Sequence, residues 1–423
     1  MEITLNGYYT LIFATLVLLL GRFMIKNIKV LEDFNIPEPV VGGLVAAIIV
    51  YSLNIFWGYT FNFHQGLQTA TMLMFFASIG LSADFGRLKA GGTPLLIFLA
   101  VVSVFIVLQD VVGVGMASAL GLDPLLGLVT GSISLTGGHG TAGAWGVVLE
   151  EEYGVVGATT LGIAVATYGL VAGGIVGGPV ARRLIKNLGL QPTPANPNPT
   201  KAEKVAGAQS LYSTKHDEDG DHREEEMFEK PDNIRLITAS STIETLALFA
   251  AALAIADIMT IVAEGTWFQL PTFVWALAAG VIIRNSLTIV FNFDMFDRAI
   301  DVIGNASLSL FLAMALLSLK LWQLTDLAGP VLIILLVQTI VMILYAYFVT
   351  SRIMGKDYDA AVLAAGHCGF GMGATPTAIA NMQAVTDRYL PSPKAFLIVP
   401  MVGAFFVDII NATVLQIFTK IPF

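Results

Sequence analysis

Thr130-Gly131-Ser132-Ile133-Ser134-Leu135-Thr136-Gly137-Gly138-His139-Gly140-Thr141-Ala142-Gly143 is the first of two stretches on which the fold turns. The second is Gly366-His367-Cys368-Gly369-Phe370-Gly371-Met372-Gly373-Ala374-Thr375-Pro376-Thr377-Ala378-Ile379-Ala380-Asn381-Met382-Gln383. Both are too apolar for a loop in water. Both are too rich in glycine for a straight helix, where each glycine costs about 1 kcal/mol relative to alanine. At membrane depth a broken backbone must still be satisfied, so it is tolerated only when buried in protein or lining a wet cavity. A re-entrant hairpin meets that condition: two half-helices that meet at a glycine-rich tip.

The rest of the chain supports membrane depth as the setting. Of 423 residues, 56% are apolar and 13% charged, against about 25% charged in soluble domains. Mean hydropathy is +0.76. A soluble fold this apolar would have little polar surface to show to water. The net charge of −9 offers no footprint for nucleic acid. Cys368 is the single cysteine, so no intrachain disulfide can form.

A membrane helix needs about 20 mostly apolar residues. Working outward from the first broken stretch (125–149), such runs cover residues 8–25, 39–57, 67–88, 94–120 and 155–184. Around the second broken stretch (360–385) they cover 236–262, 267–283, 302–322, 330–354 and 395–418. Each half therefore has five continuous spans and one broken segment. Apolar residues 8–25 have no basic segment before them, and Arg22 and Lys26 follow instead, which reads as a first span rather than a cleaved signal.

Basic residues set the orientation. Arg22, Lys26, Lys29, Arg87, Lys89, Arg182, Arg183, Lys186, Arg235, Arg284, Arg298, Arg352, Lys356, Arg388 and Lys394 all fall on one side; Lys320 and Lys420 fall on the other. This places both termini outside and the middle of the chain in the cytoplasm. Residues 187–231 form that middle: proline-rich at 191–199, nearly all charged at 216–226. Such a segment cannot bury enough apolar surface to offset its ordering entropy. The organisation is thus an N-terminal membrane repeat (1–186), a flexible linker (187–231) and a C-terminal repeat (232–423). His216 and His222 among the linker acids could meet a metal or simply be solvated.

The halves match at an offset near 236. Phe75, Ala77, Leu81, Ser82, Leu88 and Pro94 align with Phe311, Ala313, Leu317, Ser318, Leu324 and Pro330, and Gly121-Leu122-Asp123 aligns with Gly355-Lys356-Asp357. Five spans is an odd number, so the second repeat enters the membrane inverted, as in many secondary transporters. The first hairpin then enters from outside and the second from the cytoplasm, and their tips can meet.

This geometry accounts for the residue types. Glycine lets the backbone approach a ligand closely. Half-helix N-termini offer free N–H groups and partial positive charge, which suits carboxylates. The substrate candidates are Thr136, Gly137, Gly138, His139, Gly140 and Thr141, with Gly373, Thr375, Thr377 and Asn381 opposite. Hydroxyl, amide and carbonyl oxygens suit a hard monovalent cation such as sodium; Ser132, Ser134, Asn381, Gln383, Asp408 and Asn411 are the candidates. Thr375 is expected to cap a half-helix with Pro376 in its first turn. Gly173, Gly174, Gly177 and Gly178 read instead as close helix packing.

The strings Ser134-Leu135-Thr136-Gly137-Gly138-His139-Gly140-Thr141 and Ala364-Ala365-Gly366-His367-Cys368-Gly369-Phe370-Gly371, running on to Met382-Gln383, resemble the glutamate:sodium symporter family of bacteria. So do Ile36-Pro37-Glu38-Pro39-Val40, Phe228-Glu229-Lys230-Pro231-Asp232 and Asn305-Ala306-Ser307-Leu308-Ser309-Leu310-Phe311-Leu312-Ala313-Met314. The likeness spans nearly the whole chain; the linker departs most, in length and acidity. The resemblance implies L-glutamate uptake driven by sodium across the bacterial inner membrane. It also implies a homodimer, with an elevator-like movement of a transport domain against a scaffold.

Ionisable groups inside spans are functional hypotheses by default. Asp408, near Gly403 and Asn411, could balance a substrate ammonium or a sodium ion, or be a paired structural carboxylate. Asp110, beside Gln109 in the fourth span, reads as lying away from the hairpins and paired structurally. Glu244 and Asp257 sit near the ends of their span. Gln338 reads as an interhelical hydrogen bond, His139 and His367 as substrate contacts or hairpin braces, and Trp145, Trp267 and Trp322 as interfacial anchors. Competing functions are a carrier of citrate, malate or another dicarboxylate, coupled to sodium or protons, and a channel. No arginine stands in either hairpin for a further carboxylate, and no nucleophile–base pair or metal cluster points to an enzyme.

Overall fold

The computed structural model describes residues 2–34, 36–189, 237–266, 269–293, 295–318 and 327–422. The linker from residue 190 onward, Trp267, Lys320 and Trp322 lie outside the described residues, with the expectations attached to them. The first half comprises β1 (Glu2–Thr4), α1 (Gly7–Asn27), α2 (Lys29–Asp33), α3 (Glu38–Trp57), β2 (Thr60–Asn62), α4 (Gln65–Ser82), α5 (Phe85–Ala119), α6 (Pro124–Leu128), α7 (Gly138–Glu151) and α8 (Ala158–Leu188). The second comprises α9 (Ala239–Ala263), α10 (Thr272–Phe291), α11 (Asp297–Leu317), α12 (Ala328–Tyr345), α13 (Ser351–Ile353), α14 (Tyr358–Met372), α15 (Thr375–Thr386), α16 (Pro393–Met401) and α17 (Val407–Phe418). Single π turns join α6 to the first break (Val129–Ile133), α12 to α13 (Ala346–Thr350) and α16 to α17 (Val402–Phe406). The strands pair in parallel and tie the N-terminus to the segment between α3 and α4.

Eight helices among the described residues are long and apolar enough to cross a membrane. Their outward sides are as apolar as their inward ones. On α12, Val331, Ile334, Leu335 and Met342 are buried while Leu332, Leu336 and Ile340 are exposed. Side chains of this kind on both faces fit a helix set in lipid rather than water. The protein is a mostly helical, multi-pass membrane protein.

The third and the last of the expected spans depart from a straight run, and the π turn at Ala346–Thr350 interrupts the one at 330–354. The third, expected to reach residue 88, ends at Ser82. Asp84 leaves the helix and caps α5 by accepting from the Gly86 N–H at 2.7 Å. Within α5, Gly92 is left-handed (φ 64, ψ −163), so the long transmembrane part starts there. The last run carries Pro400 and then the π turn, which divides it into α16 and α17. Proline removes a backbone donor, and the turn takes up the register change.

The helices pack in two groups. One holds α1, α3, α4, α9, α10 and α11; the other holds α5 to α8 and α12 to α17. Small residues let backbones touch within each. At the crossing of α4 and α10, a Cβ on Gly80 would stand 2.1 Å from Leu277 O, and one on Gly280 2.6 Å from Ala77 O. A buried clamp closes one end of the first group: Arg284 of α10 is paired with Asp84 at 3.1 Å and with Asp297 of α11. In the second group, α8 presents Gly169, Gly173 and Gly177 to α14. Cβ atoms there would meet Met372 O at 2.0 Å, Cys368 O at 3.2 Å and Ala365 O at 2.8 Å. The packing expectation holds for Gly173 and Gly177. Gly178 faces open space and Gly174 meets only Thr377, so those two serve no such contact.

The groups meet along α7, where Phe75 reaches Gly140 and Phe311 reaches Gly143. Trp145 packs edge-on against Phe273, with centroids 5.6 Å apart. Trp145 is 1% exposed. It is a core side chain at this seam, not an interfacial anchor, because α7 turns that face inward.

Gly80→Ala should lower stability by about 1–3 kcal/mol, since the added methyl meets backbone that cannot yield. Gly178→Ala, with space around it in a helix interior, should be neutral or stabilising by up to about 1 kcal/mol. Thermal unfolding of both variants in detergent checks the contrast.

Candidate functional site

Both glycine-rich stretches break where glycine is densest. In the first, Gly131 leaves the helical region (φ −102, ψ −132) and α7 restarts at Gly138 with φ +64. In the second, α14 ends at Met372, Gly373 and Ala374 are extended or irregular, and α15 starts at Thr375. The half-helix ends differ in one telling way. The starts remote from the breaks are capped: Asp123 accepts from Leu125 N at 2.9 Å and Asp357 from Ala360 N at 2.7 Å. The starts at the breaks, with Gly137 and Ala374 as N-caps, have no side-chain cap. Gly138 N–H donates to Ser134 O at 3.1 Å and Pro376 has no N–H, so the partial positive charge of the two starts rests on the remaining first-turn groups. Thr375 is therefore not the cap that its type suggests; it is the first helical residue, with Pro376 next.

The two breaks touch. A Cβ on Gly138 would lie 3.4 Å from Gly373 O. The Thr136 hydroxyl donates to Gln109 Oε1 at 2.7 Å and stands 3.2 Å from Gly371 O, to which Gln109 Nε2 donates at 3.0 Å. Gln338 of α12 donates to the Gln109 carbonyl at 2.8 Å, which bears out its interhelical role. One glutamine of α5 thus fastens both breaks together.

Its neighbour Asp110 fastens the first. Ser132 N–H donates to Asp110 Oδ1 at 2.8 Å and Ser132 Oγ to Oδ2 at 2.9 Å. The Ser132 carbonyl accepts from Gly137 N at 2.9 Å and from Asn411 Nδ2 at 3.1 Å. The expectation that Gln109 and Asp110 stand apart from the breaks is wrong. Two adjacent polar residues in an apolar span are the sequence signal; the direction they face depends on how α5 packs against the first break.

The remaining candidates fall as follows. Gly137, Gly138, Ala374 and Thr375 are half-buried and Pro376 is exposed, so the meeting point is open. Gly140 and Thr141 are buried in α7. His139 turns to the Thr167 hydroxyl at 3.0 Å. His367 lies deeper, with Nδ1 2.9 Å from Thr350 Oγ1, among Phe98, Phe105, Tyr345 and Phe370. Both histidines brace through hydroxyls. Asn381 donates to Gly173 O at 2.8 Å and holds α15 to α8. Thr377 is buried in α15; Gln383 is half-buried near its far end. Gly403, in the π turn, stands against Thr375, 3.0 Å from Oγ1 to its would-be Cβ. Asp408 is half-buried and makes no hydrogen bond or ion pair among the described residues. Ser134 Oγ, Thr377 Oγ1, Asn411 Oδ1 and Gln338 Oε1 are buried with no partner among the described residues.

Two apolar segments broken at glycine, touching at their breaks inside a multi-pass protein, fit a carrier. The family model for the sodium/glutamate symporter matches residues 3–219 and 202–391. The chain belongs to the sodium/glutamate symporter family. A curated sodium/glutamate symporter of Haemophilus influenzae is 51% identical over 417 residues, covering 99% of this chain and 98% of that protein. Those of Escherichia coli K12 and Shigella flexneri are each 52% identical over 418 residues, with the same coverage. This is a family of transporters, not enzymes, and the match runs through both breaks.

Gln109→Leu should remove two buried hydrogen bonds and leave the Thr136 hydroxyl and the Gly371 carbonyl only each other, 3.2 Å apart, at about 0.5–1.5 kcal/mol for each bond lost. A lower thermal midpoint in detergent, together with faster amide exchange around both breaks, is the expected result.

Proposed function

We propose that this protein is a sodium-coupled symporter that takes up L-glutamate across a bacterial inner membrane by alternating access. The observation that carries this reading is the match of 51–52% identity to sodium/glutamate symporters along nearly the whole chain. The chemistry of the breaks supports it. L-Glutamate brings two carboxylates, and the uncapped starts of α7 and α15 offer two partly positive ends at one place. Thr136, Gly137, Gly138, Gly373 and Thr375 line the meeting point, with His139, Gly140, Thr141, Thr377 and Asn381 behind them. Asp408 would balance the substrate ammonium or a sodium ion. Sodium is substrate as well, and its donors are oxygens of Ser132, Ser134, Asn411, Asn381 and Gln383.

In this reading the stretches at 125–149 and 360–385 are re-entrant hairpins of two inverted repeats. Supporting that, Gly121 and Gly355 both have positive φ, and each precedes by two residues an aspartate that caps the following helix. The grouping of helices supports an elevator. α5 to α8 and α12 to α17 would move as the transport domain against a scaffold of α1, α3, α4 and α9 to α11, within a homodimer. The termini would face the periplasm and the linker the cytoplasm.

Reconstituted in proteoliposomes, the protein should accumulate glutamate under an inward sodium gradient and not when potassium replaces sodium. Citrate should compete poorly. Thr136→Ala and Asn381→Ala should each lose roughly tenfold or more in uptake while remaining folded, the order expected for one buried hydrogen bond. Undiminished uptake in both variants would remove the breaks from the site.

A further inference from the structure

We propose that Asp110 is the anionic anchor of a buried sodium site at the first break, completed by Ser132 and Asn411. This rests on the reading of the protein as sodium-coupled and names the charge that holds the ion. Asp110 is 0% exposed. It lies about 14 Å of helix, at 1.5 Å per residue, from the end of α5, inside the apolar part of that helix that runs from Gly92 to Ala119. Its donors are the N–H and hydroxyl of a single residue, Ser132. Among the described residues it forms no salt bridge, whereas Asp84 and Asp297 share Arg284. The other acid buried among the described residues, Asp359, sits in the first turn of α14 and accepts from Ser392 Oγ at 2.6 Å. Buried charges are paired or coordinate a metal, and Asp110 has neither a basic side chain nor a helix start to offset it.

The surroundings select the occupant. Asn411 is 1% exposed; its Nδ2 is spent on Ser132 O while its Oδ1 has no partner among the described residues. Ser134 Oγ, two residues along the same break, is likewise buried without one. A carboxylate, an amide oxygen and hydroxyls make an all-oxygen set, which suits a hard cation. One negative charge among neutral oxygens balances one positive charge, so a monovalent ion fits and a divalent one leaves an excess in apolar surroundings. A proton on Asp110 would neutralise it but leave Asn411 Oδ1 and Ser134 Oγ as they are. The coupling path is short: Ser132 O also receives Gly137 N–H, and Gly137 caps the half-helix start assigned to substrate. An ion that orders Ser132 therefore orders the tip, and binding at one site favours binding at the other.

The test uses the full-length purified protein and two readouts. Sodium chloride, against potassium chloride at equal ionic strength, should raise the thermal midpoint of the wild type in detergent. Asp110→Asn should abolish that sodium-specific rise and raise the half-saturating sodium concentration for uptake by roughly tenfold or more, the scale of a strong coupling. Asn411→Ala should weaken both in the same direction and carries the test if Asp110→Asn does not fold. An unchanged sodium-specific shift in Asp110→Asn, or in Asn411→Ala where the first variant is unfolded, overturns the site. So does a wild type stabilised by acid but not by sodium. Failure of the wild type to take up glutamate with sodium would instead overturn the proposed function, while the thermal shift would still decide the site.

Discussion

Backbone groups released where two apolar segments break have to find partners inside the protein, because lipid offers none. Everything around the breaks answers that demand. Gln109 supplies an amide to Gly371 O and an acceptor to Thr136. Asp110 takes up the Ser132 N–H, and Asn411 joins Gly137 N–H at the Ser132 carbonyl. The side chains that meet the backbone come from α5 and α17, so the breaks hold their shape only when those helices are seated. The same demand leaves an opportunity. Where α7 and α15 start, no side chain closes the helix end, and the two starts stand next to one another.

The packing that surrounds the breaks follows from small residues. α8 can lie against α14 because Gly169, Gly173 and Gly177 remove side chains along one stripe, bringing carbonyls to within van der Waals reach. With little hydrophobic drive between helices in lipid, such contacts and buried hydrogen bonds do the joining. Asn381, bonded to Gly173 O, adds a polar fastening to the same seam. The seam between the two helix groups is of another kind. Phe75, Phe273, Phe311 and Trp145 meet there through rings and glycine faces, while Asn285 of α10 accepts from Phe85 N–H at the start of α5.

How much could be read in advance varies with the range of the interaction. The breaks at 131–138 and 373–374 follow from glycine density alone, which is local. Most of the spans follow from apolar run length. The third span is shorter than its apolar run: Phe85 and Leu88 continue the apolar pattern past Ser82, while Asp84 stops the helix by capping the next one. Thr375 looked like a cap by residue type, yet the chain enters the helix one residue earlier, at Ala374. Trp145 looked like an anchor because tryptophan favours membrane interfaces; the turn of α7 that buries it against Phe273 is a tertiary fact. The misplacement of Gln109 and Asp110 has the same origin. Their polarity was visible, but partners 22 to 262 residues away were not.

A multi-pass helical protein with two interrupted segments is legible in the residues alone, because hydropathy and glycine content act over a few turns of chain. The motifs at both breaks are by themselves characteristic of the family. Only the tertiary structure decided which side chains stand at the breaks. Helix rotation sets whether Asp110 faces Ser132 or lipid, and rotation is settled by packing against α6, α12 and α17 together, a cooperative choice that no local pattern encodes.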